Sequence, residues 1–379
     1  MIYLDNGATT FPKPLSVVNA VNRSLREYGA NPGRSGHDMS IKASEKIFEC
    51  RENAAKLFNT DKPENIIFTS NCTTALNTVI HGILHENDHV ITSSLEHNSV
   101  IRPVEELTKK GVEYTIANVV PNHDEATIDN FRNAIKSNTK LVVCTHASNV
   151  FGIKLPIERI AALCRIYGIL LCVDTAQSAG TVPIDLKNSC IDFLCTSGHK
   201  GLYGPMGTGL LIINTDILPD SLTQGGTGSM SLEQFQPELL PDKYESGTPN
   251  LPGIAGLNEG IKFVLKNKPE NLYKREMKLV SHIYDNLKRN NNVILYTDKP
   301  DIEHFVPVLS FNIKNYESEK TAMILNKKFR IAVRAGYHCS PLAHKSMDTV
   351  ESGTVRIVMS AFTTLKDVNY FIGAVSSIK

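Results

Sequence analysis

The sequence predicts an α/β fold, in which a large, mostly parallel seven-stranded sheet domain covered by helices is joined to a smaller α+β domain. Short, fully apolar runs alternate with helical patterns between residues 66 and 213. This rhythm is typical of a parallel sheet that is buried on both faces. After residue 214 the rhythm stops, and the 379 residues are enough for two domains. We expect the large domain at 15–252 and the smaller one at 1–14 and 253–379.

The first part of the chain is predicted to be irregular and then helical. Residues 1–14 show no periodicity, and apolar residues at helical spacing predict a helix over 15–28, followed by a polar helix from about 40 to 58. The seven predicted strands are 66–69, 90–92, 114–117, 141–145, 169–173, 193–195 and 209–213. The helices predicted between them are 73–84, 98–110, 127–137 and 156–167.

The second part mixes helices with strands. A long helical region is predicted over 253–289 and a further helix over 318–328, with strands at 308–312, 331–334 and 355–359 and a closing helix. This mixture predicts the smaller α+β domain.

Composition narrows the classes of function. Forty basic and 39 acidic residues leave a net charge of +1, which provides no basic footprint for nucleic acid or an anionic membrane. No signal peptide or membrane-length apolar run is visible. The eight cysteines form no CxxC pair, so neither a disulfide framework nor a zinc site is indicated. We therefore expect a cytoplasmic enzyme that acts on a small molecule without a bound metal.

Lys200 stands just beyond a predicted buried strand, in the stretch from Asp192 to Gly207. An ammonium group resists burial unless its charge is paired or removed. A Schiff base with pyridoxal phosphate would turn this amine into an imine that is conjugated with an electron sink, and the neighbouring glycines would let the cofactor approach. A solvated lysine at the start of a loop is the alternative reading of this stretch.

Polar side chains follow other predicted strands as well, where a parallel sheet binds its ligand. Residues 69–74 lie at the start of a predicted helix, where their hydroxyl and N–H groups could bind a phosphate. Taken alone, however, they fit a plain N-cap better. His97 offers a flat ring that could stack on a cofactor, and Asn149 could donate to a ring oxygen. A solvated histidine and a turn asparagine are the alternatives.

Asp174 ends an entirely apolar strand. An aspartate there needs a partner, and a protonated pyridine nitrogen would be one. Gln177 could reach the same face three residues later. A structural capping aspartate is equally compatible with the position. Ser197, His199 and Lys200 complete a series of polar residues at successive strand ends.

Several motifs then carry a family resemblance that spans nearly the whole chain. They are Tyr3-Leu-Asp-Asn-Gly-Ala-Thr, Ser94-Leu-Glu-His-Asn-Ser, Ala147-Ser-Asn-Val-Phe-Gly, Val173-Asp-Thr-Ala-Gln and Thr196-Ser-Gly-His-Lys-Gly-Leu-Tyr-Gly-Pro. With these motifs the sequence resembles the fold-type I, pyridoxal-phosphate-dependent class V aminotransferase superfamily. Within it, the sequence is similar to the cysteine desulfurases and selenocysteine lyases.

The resemblance implies pyridoxal 5'-phosphate as cofactor and a role for each matching residue. Lys200 would form the Schiff base, Asp174 would meet the pyridine nitrogen, His97 would stack on the ring and Gln177 would face the phenolic oxygen. The implied phosphate ligands are Thr73, Thr74, Ser197 and His199. The resemblance also implies a homodimer, in which Thr227 reaches the partner's phosphate pocket.

The stretch from Val333 to His344 contains Cys339 among glycine, histidine and proline. A loop cysteine near Arg334 and His338 can become a nucleophilic thiolate, whereas Cys144, Cys172 and Cys195 lie in apolar runs and are predicted to be core thiols. An incidental loop cysteine is the alternative. The stretch is similar to the short persulfide-forming loop of the Suf-type (group II) desulfurases.

Arg356 is the candidate for the substrate carboxylate, because a guanidinium binds a carboxylate bidentately. The family pattern supports it, although the segment after it, 358–364, lacks the glycine and the Asn-Thr pair that are common there. Asn149 is a second candidate substrate ligand. Asn31 and the stretch from Arg34 to His37 are expected to line the entrance.

Together these features predict an L-cysteine desulfurase that produces L-alanine and a persulfide on Cys339, which passes its sulfur to an acceptor protein. A selenocysteine lyase, or another class V reaction such as transamination or β-elimination, would use the same scaffold. A non-catalytic sulfur carrier is a further alternative, but such a protein would not need Lys200, Asp174 and His97.

Overall fold

Seven strands form one sheet in the computed structural model of this chain, which describes residues 1–33 and 35–378. The strands are β2 (Ile66–Thr69), β3 (His89–Ser93), β4 (Glu113–Ala117), β5 (Thr139–Thr145), β6 (Leu170–Asp174), β7 (Phe193–Ser197) and β8 (Gly209–Ile213). Their order is β2-β8-β7-β6-β5-β3-β4. Only β8 runs antiparallel to its neighbours, β2 and β7. The predicted mostly parallel seven-stranded sheet is confirmed.

Alternate residues of the central strands enter two separate cores. Leu141 and Val143 of β5 belong to the core on one face, and Val142 and Cys144 belong to the core on the other. Because successive side chains point to opposite faces, a strand buried on both faces must be apolar throughout. This explains the unbroken apolar runs in the sequence.

Helices cover both faces of this sheet and continue into the second half of the chain. They are α1 (Leu15–Glu27), α2 (Asp38–Phe58), α3 (Cys72–Ile83), α4 (Asn98–Thr108), α5 (Asp124–Asn133), α6 (Ile157–Tyr167), α7 (Leu251–Asn267), α8 (Pro269–Leu287), α9 (Ser318–Phe329), α10 (Pro341–Ser346) and α11 (Leu365–Ser376). None of the helices in the described residues is both long and apolar enough to cross a membrane.

A second sheet has four antiparallel strands in the order β12-β13-β10-β9. These strands are β9 (Val293–Leu295), β10 (Val308–Ile313), β12 (Arg334–Gly336) and β13 (Thr354–Val358). With α8, α9 and α11 this sheet forms the predicted α+β part of the chain. The division between residues 252 and 253 stays a prediction, and α7 spans that point.

The N-terminal residues are more ordered than their sequence suggests. Strand β1 (Ile2–Tyr3) pairs in parallel with β11 (Ile331–Ala332), so the expectation of an irregular segment over 1–14 was wrong for these two residues. A two-residue strand has no periodicity to detect, and its partner lies more than 300 residues away in the sequence. Residues 5–13, which we name the N-terminal strap, continue from it.

The strap binds the loop that contains Lys200. The backbone N–H of Thr10 donates to the carbonyl oxygen of His199 (3.1 Å), and Thr10 Oγ1 donates to that of Lys200 (2.8 Å). Lys13 Nζ also donates to the carbonyl oxygen of His199 (2.7 Å). At its other end the strap bridges to Val358 at the end of β13. The strap therefore connects the two sheets at the Lys200 loop.

Two predicted helices differ from the structure. The region predicted as helical over 253–289 is two helices, because Lys268 has a positive φ of 64° and is followed by Pro269, which begins α8. Helix α5 begins at Asp124, three residues before its predicted start, with Asp124 and Glu125 in its first turn. Acidic residues stabilise that end of a helix.

Candidate active site

Three neighbouring strands end side by side at the candidate site. Thr145 of β5 lies opposite Asp174 of β6, and Asp174 lies opposite Cys195 of β7, two residues before Ser197. A cavity of about 220 Å³ opens beyond these strand ends. Eight of the predicted site residues line it, namely Thr73, His97, Asn149, Asp174, Gln177, Ser197, His199 and Lys200.

Lys200 brings an unpaired amine to this cavity. Its Nζ makes no hydrogen bond or ion pair with the described residues, and burial lowers its pKa, partly against the attraction of Asp174. A lowered pKa increases the fraction of the neutral amine, which is the form that adds to a carbonyl group. The local structure thus prepares Lys200 for imine chemistry.

Asp174 presents one free carboxylate oxygen. Its Oδ1 accepts hydrogen bonds from the Ala176 N–H (2.9 Å) and from Cys72 Sγ (3.3 Å). Its Oδ2 accepts none from the described residues, although the side chain is 95% buried. An unpaired carboxylate oxygen on a largely buried residue of the cavity lining fits a ligand that brings a cationic N–H.

His97 is fixed as a neutral ring. Its Nδ1 accepts from the Ser99 N–H (3.1 Å) and lies 2.8 Å from Ser99 Oγ. The proton of the neutral ring must therefore be on Nε2. Burial lowers the pKa of His97 to about 4. Ser99, which sequence reasoning missed, also contacts Thr73 Oγ1 at 2.7 Å.

The N-terminus of α3 forms one end of the cavity. Asn71 caps this helix by accepting from the Thr74 N–H (2.9 Å), and the N–H groups of Cys72 and Thr73 make no hydrogen bond with the described residues. The Thr74 hydroxyl contacts Ser70 and Asn71 and does not line the cavity. Free N–H groups at a helix start suit an anion.

Two further polar groups lie at the cavity without a partner. Ser197 is 4% exposed and its hydroxyl makes no hydrogen bond with the described residues. Nδ1 of His199 is buried and forms no hydrogen bond within the part of the chain that the structure describes. Burial lowers the pKa of this histidine to about 4. Gln177 donates to the carbonyl oxygen of Gly7 in the strap (3.1 Å).

Besides Thr74, the predicted residues Asn31 and Thr227 do not line this cavity. Asn31 is exposed, and its carbonyl oxygen accepts from Ser40 Oγ (2.8 Å). Thr227 lies near Ser229 and lines a different hollow, beside Arg51. Arg34 falls outside the described residues. The roles predicted for Asn31 and Thr227 stay predictions.

Cys339 lies in a four-residue loop between Gly336, which ends β12, and Pro341, which begins α10. Its carbonyl oxygen accepts from the Asn98 N–H (2.8 Å), one residue from His97. Asn149 holds the loop on both sides of the cysteine. Its Nδ2 donates to the carbonyl oxygen of His338 (2.8 Å), and its Oδ1 accepts from Ser340 Oγ (2.6 Å). The loop is thereby attached to the cavity wall.

The cation beside Cys339 is Arg334. Its Nη2 lies 3.9 Å from Cys339 Sγ. His338 turns away and its Nε2 contacts the carbonyl oxygen of Thr354 (3.0 Å), and burial lowers its pKa to about 2. His338 is therefore neutral, and of the two neighbours predicted to stabilise a thiolate only Arg334 carries charge near the sulfur.

Arg356 is almost entirely buried in β13. Its Nη1 donates to the carbonyl oxygen of Asn149 (2.7 Å), and its Nη2 contacts Asp5 Oδ1 at 3.1 Å. Its Nε is buried and has no hydrogen-bond partner among the described residues, and burial lowers the pKa of the guanidinium to about 10. No role was predicted for Asp5. The family motif that begins at Tyr3 includes this residue and was the feature of the sequence that could have indicated a role for it.

Taken together, the cavity offers an unpaired amine, a carboxylate oxygen without a partner, a flat neutral ring and an anion site at a helix start. This donor set fits pyridoxal phosphate, which carries an aldehyde, a basic pyridine nitrogen, an aromatic ring and a phosphate. No group of three or more metal-ligating side chains occurs in the part of the chain that the structure describes.

Comparisons with known proteins agree with this geometry. The family model for class-V aminotransferases matches residues 2–371. A probable cysteine desulfurase of Methanothermobacter thermautotrophicus is 33% identical over 97% of this chain and 92% of its own length. A second probable cysteine desulfurase, from Pyrococcus abyssi, is also 33% identical, over 100% of this chain and 94% of its own.

Solved structures give the same result. The apo structure of a cysteine desulfurase from Thermococcus onnurineus superposes with a TM-score of 0.91 at 31% identity, and covers 99% of this chain and 94% of that one. An Escherichia coli cysteine desulfurase superposes with a TM-score of 0.87 at 24% identity, which supports the fold. The chain therefore belongs to the class-V aminotransferase family, alongside relatives described as cysteine desulfurases.

Proposed function

We propose that this chain is a pyridoxal-phosphate-dependent L-cysteine desulfurase that releases L-alanine and retains the sulfur as a persulfide on Cys339. The observation that carries the proposal is the attachment of the Cys339 loop to the wall of the Lys200 cavity. The Asn98 N–H, next to the cavity-lining His97, donates to the carbonyl oxygen of Cys339 itself. Asn149, which lines the cavity, donates to the carbonyl oxygen of His338 and accepts from the hydroxyl of Ser340. The names of the relatives support the same activity.

The cofactor would be held by the unpaired groups of the cavity. Lys200 would bind it covalently, Asp174 Oδ2 would meet the ring nitrogen and His97 would cover the ring. The start of α3, with Thr73, Ser197 and His199, would hold the phosphate. When bound, pyridoxal phosphate supplies an electron sink that stabilises negative charge at the α-carbon of an amino acid.

Lys200 and His97 are the groups that move protons. The neutral amine of Lys200 acts as the general base at the substrate's α-carbon, and its lowered pKa favours the form that can accept a proton. The neutral ring of His97 keeps its proton on Nε2, at the cavity wall, where it can be passed to or from the substrate.

Arg356 and Cys339 act on the two ends of the substrate. The guanidinium of Arg356 binds the α-carboxylate. The thiolate of Cys339, beside Arg334, attacks the substrate sulfur. A sulfur–sulfur bond forms as the Cβ–S bond breaks, and the electron pair of that bond stays on Cβ, which takes up a proton. The products are L-alanine and the Cys339 persulfide, and no external oxidant is needed.

The assembly and the route of the sulfur are also proposals. A homodimer is supported by the segment around Thr227, in which Leu232 and Phe235 are 100% and 88% exposed in the single chain. The exposure of Cys339 supports transfer to an acceptor protein. The short loop supports the group II branch, and eight free cysteines fit the reducing cytoplasm.

The test compares L-cysteine with L-selenocysteine as substrates of the wild type, Cys339→Ser and Lys200→Ala. Alanine is quantified, and mass spectrometry detects added sulfur on Cys339. We expect cysteine turnover to disappear in both variants and the wild type to carry the extra sulfur. If only selenocysteine reacts, and Cys339→Ser retains that activity, the protein is a selenocysteine lyase. If neither substrate yields alanine, the reaction belongs to another class V type.

A further inference from the structure

Asp5, in the N-terminal strap, is the ionic partner of Arg356. The distance between Asp5 Oδ1 and Arg356 Nη2 is 3.1 Å, and the two side chains are 22% and 1% exposed. The guanidinium proposed to receive the substrate carboxylate is therefore already paired with a carboxylate of the same chain. The two residues lie 351 positions apart in the sequence.

This pair lies in a region of excess positive charge. Arg334 and Arg356 repel each other, and both lower the pKa of Lys200. Arg334 forms no ion pair within the described part of the chain. Asp5 is thus the one described carboxylate in contact with either guanidinium. Without it, Arg356 would be a buried charge with no counter-ion, which is costly until an anion arrives.

The guanidinium still has N–H groups that neither Asp5 nor Asn149 engages. Asn149 engages Nη1 and Asp5 engages Nη2, so a second N–H on each of these nitrogens has no partner among the described residues, whereas Nε is buried. A ligand carboxylate would share Arg356 with Asp5 rather than find it unpaired.

The strap does not depend on the Asp5 side chain for its position. The Leu4 N–H donates to the carbonyl oxygen of Ala332 (2.9 Å), and the Val358 N–H donates to that of Leu4 (2.8 Å). Asn6 Nδ2 donates to the carbonyl oxygen of Val358 (2.9 Å). The Asp5 carboxylate can therefore be neutralised while the backbone stays in place.

We propose that Asp5 determines specificity as the resident counter-ion of Arg356. By neutralising the guanidinium before substrate arrives, it reduces the affinity of the site for carboxylates in general. A molecule with a carboxylate alone then binds weakly, and an amino acid is selected through its additional contacts. This inference rests on the proposed function, because it takes Arg356 as the carboxylate site.

The test measures binding of butyrate, which has a carboxylate but no amino group, to the holoprotein by ligand-observed NMR. Asp5→Asn should bind butyrate roughly 3- to 10-fold more tightly than the wild type, since one counter-ion has been removed. Butyramide, which is uncharged, should bind equally to both proteins. Asp124→Asn, which removes one negative charge at the start of α5, is the matched control and should leave butyrate binding unchanged.

An unchanged or weaker affinity of folded Asp5→Asn for butyrate would overturn the proposal, because Asp5 would then only orient Arg356. Equal butyrate binding by the wild type and Arg356→Met would overturn it too. Thermal unfolding checks the fold, and Asp5→Ser provides a second variant. The measurement needs no turnover. A gain in butyrate affinity without alanine formation would therefore uphold this inference while the desulfurase proposal fails.

Discussion

At the scale of single residues, the cysteines differ in exposure: six are buried, Cys190 is partly exposed and Cys339 is exposed. The sequence predicted Cys144, Cys172 and Cys195 as core thiols, and the structure confirms that all three are buried. Burial raises the pKa of Cys144 and Cys195 well above the ordinary value and that of Cys164 to about 12. Only a thiolate is a strong nucleophile, so these thiols are inert at neutral pH, whereas Cys339 is exposed.

We therefore predict that iodoacetamide at pH 8 modifies Cys339 before the buried cysteines. Peptide mass spectrometry over a time course would follow each site. Cys339→Ser should remove the fast phase, and Cys144→Ser should keep it. Early labelling of Cys144 or Cys195 would contradict the burial described for them.

Asn149 offers a second prediction at this scale, because its amide holds both neighbours of Cys339. Asn149→Ala leaves the carbonyl oxygen of His338 and the hydroxyl of Ser340 without partners, at a cost of about 1–3 kcal/mol for each such buried group. We expect alanine formation to fall about tenfold, which corresponds to ~1.4 kcal/mol, and the alkylation rate of Cys339 to change.

The control is Asn53→Ala, which removes a buried amide bonded to Asn258 far along the chain (2.8 Å). It should lower the melting temperature but leave the alkylation rate of Cys339 unchanged. Equal effects of the two substitutions on that rate would mean that Asn149 acts only through stability.

At the scale of elements, short apolar runs that alternate with helical patterns were enough to predict the large sheet. All seven strands of the large sheet were visible as apolar runs, and the polar residues after β5, β6 and β7 do meet at one cavity. The features that the sequence did not predict depend on contacts between residues that are far apart in the sequence. The motif that begins at Tyr3 includes Asp5, but nothing local in the sequence indicates that β1 pairs with β11 or that Asp5 pairs with Arg356. The contact of Asn149 with the Cys339 loop likewise exists only after folding.

The turns after β6 and Lys200 cross so closely that side chains are excluded. A Cβ on Gly201 would overlap the carbonyl oxygen of Ala179. We predict that Gly201→Ala lowers the free energy of unfolding by about 1–3 kcal/mol through this overlap, measured by urea denaturation. Gly373→Ala in α11, where a Cβ meets nothing within 4 Å, should be neutral or stabilising by up to ~1 kcal/mol. A stable Gly201→Ala would contradict the packing.

At the scale of the whole molecule, two buried glutamates make stability depend on pH. Burial raises the pKa of both Glu96 and Glu276 to about 8, from an ordinary value of 4.5. The folded state therefore keeps protons that the unfolded state loses. The stability contributed by each glutamic acid is complete below pH 4.5 and is lost as the pH rises toward 8.

Glu276→Gln should remove the part of this loss of stability at rising pH that Glu276 causes. As the pH rises from 5.5 to 7.5, the free energy of unfolding of the variant, relative to that of the wild type, should increase by about 1.4 kcal/mol per pH unit. Urea denaturation at several pH values measures the difference. Glu45→Gln, on the exposed face of α2, should track the wild type. If the free energy of unfolding of Glu276→Gln changed with pH in the same way as that of the wild type, Glu276 would be ionised in the folded protein.

The pairing of Asp5 with Arg356 also has a consequence for synthesis on the ribosome. Asp5 precedes Arg356 by 351 positions, so a nascent chain contains all seven strands of the large sheet long before Asp5 can pair with Arg356. Contacts of such sequence separation form late, because a long loop must close before they are made. Cys339 emerges only shortly before Arg356, so the groups proposed to act on the substrate come together only when β13, the last strand of the second sheet, has been synthesised.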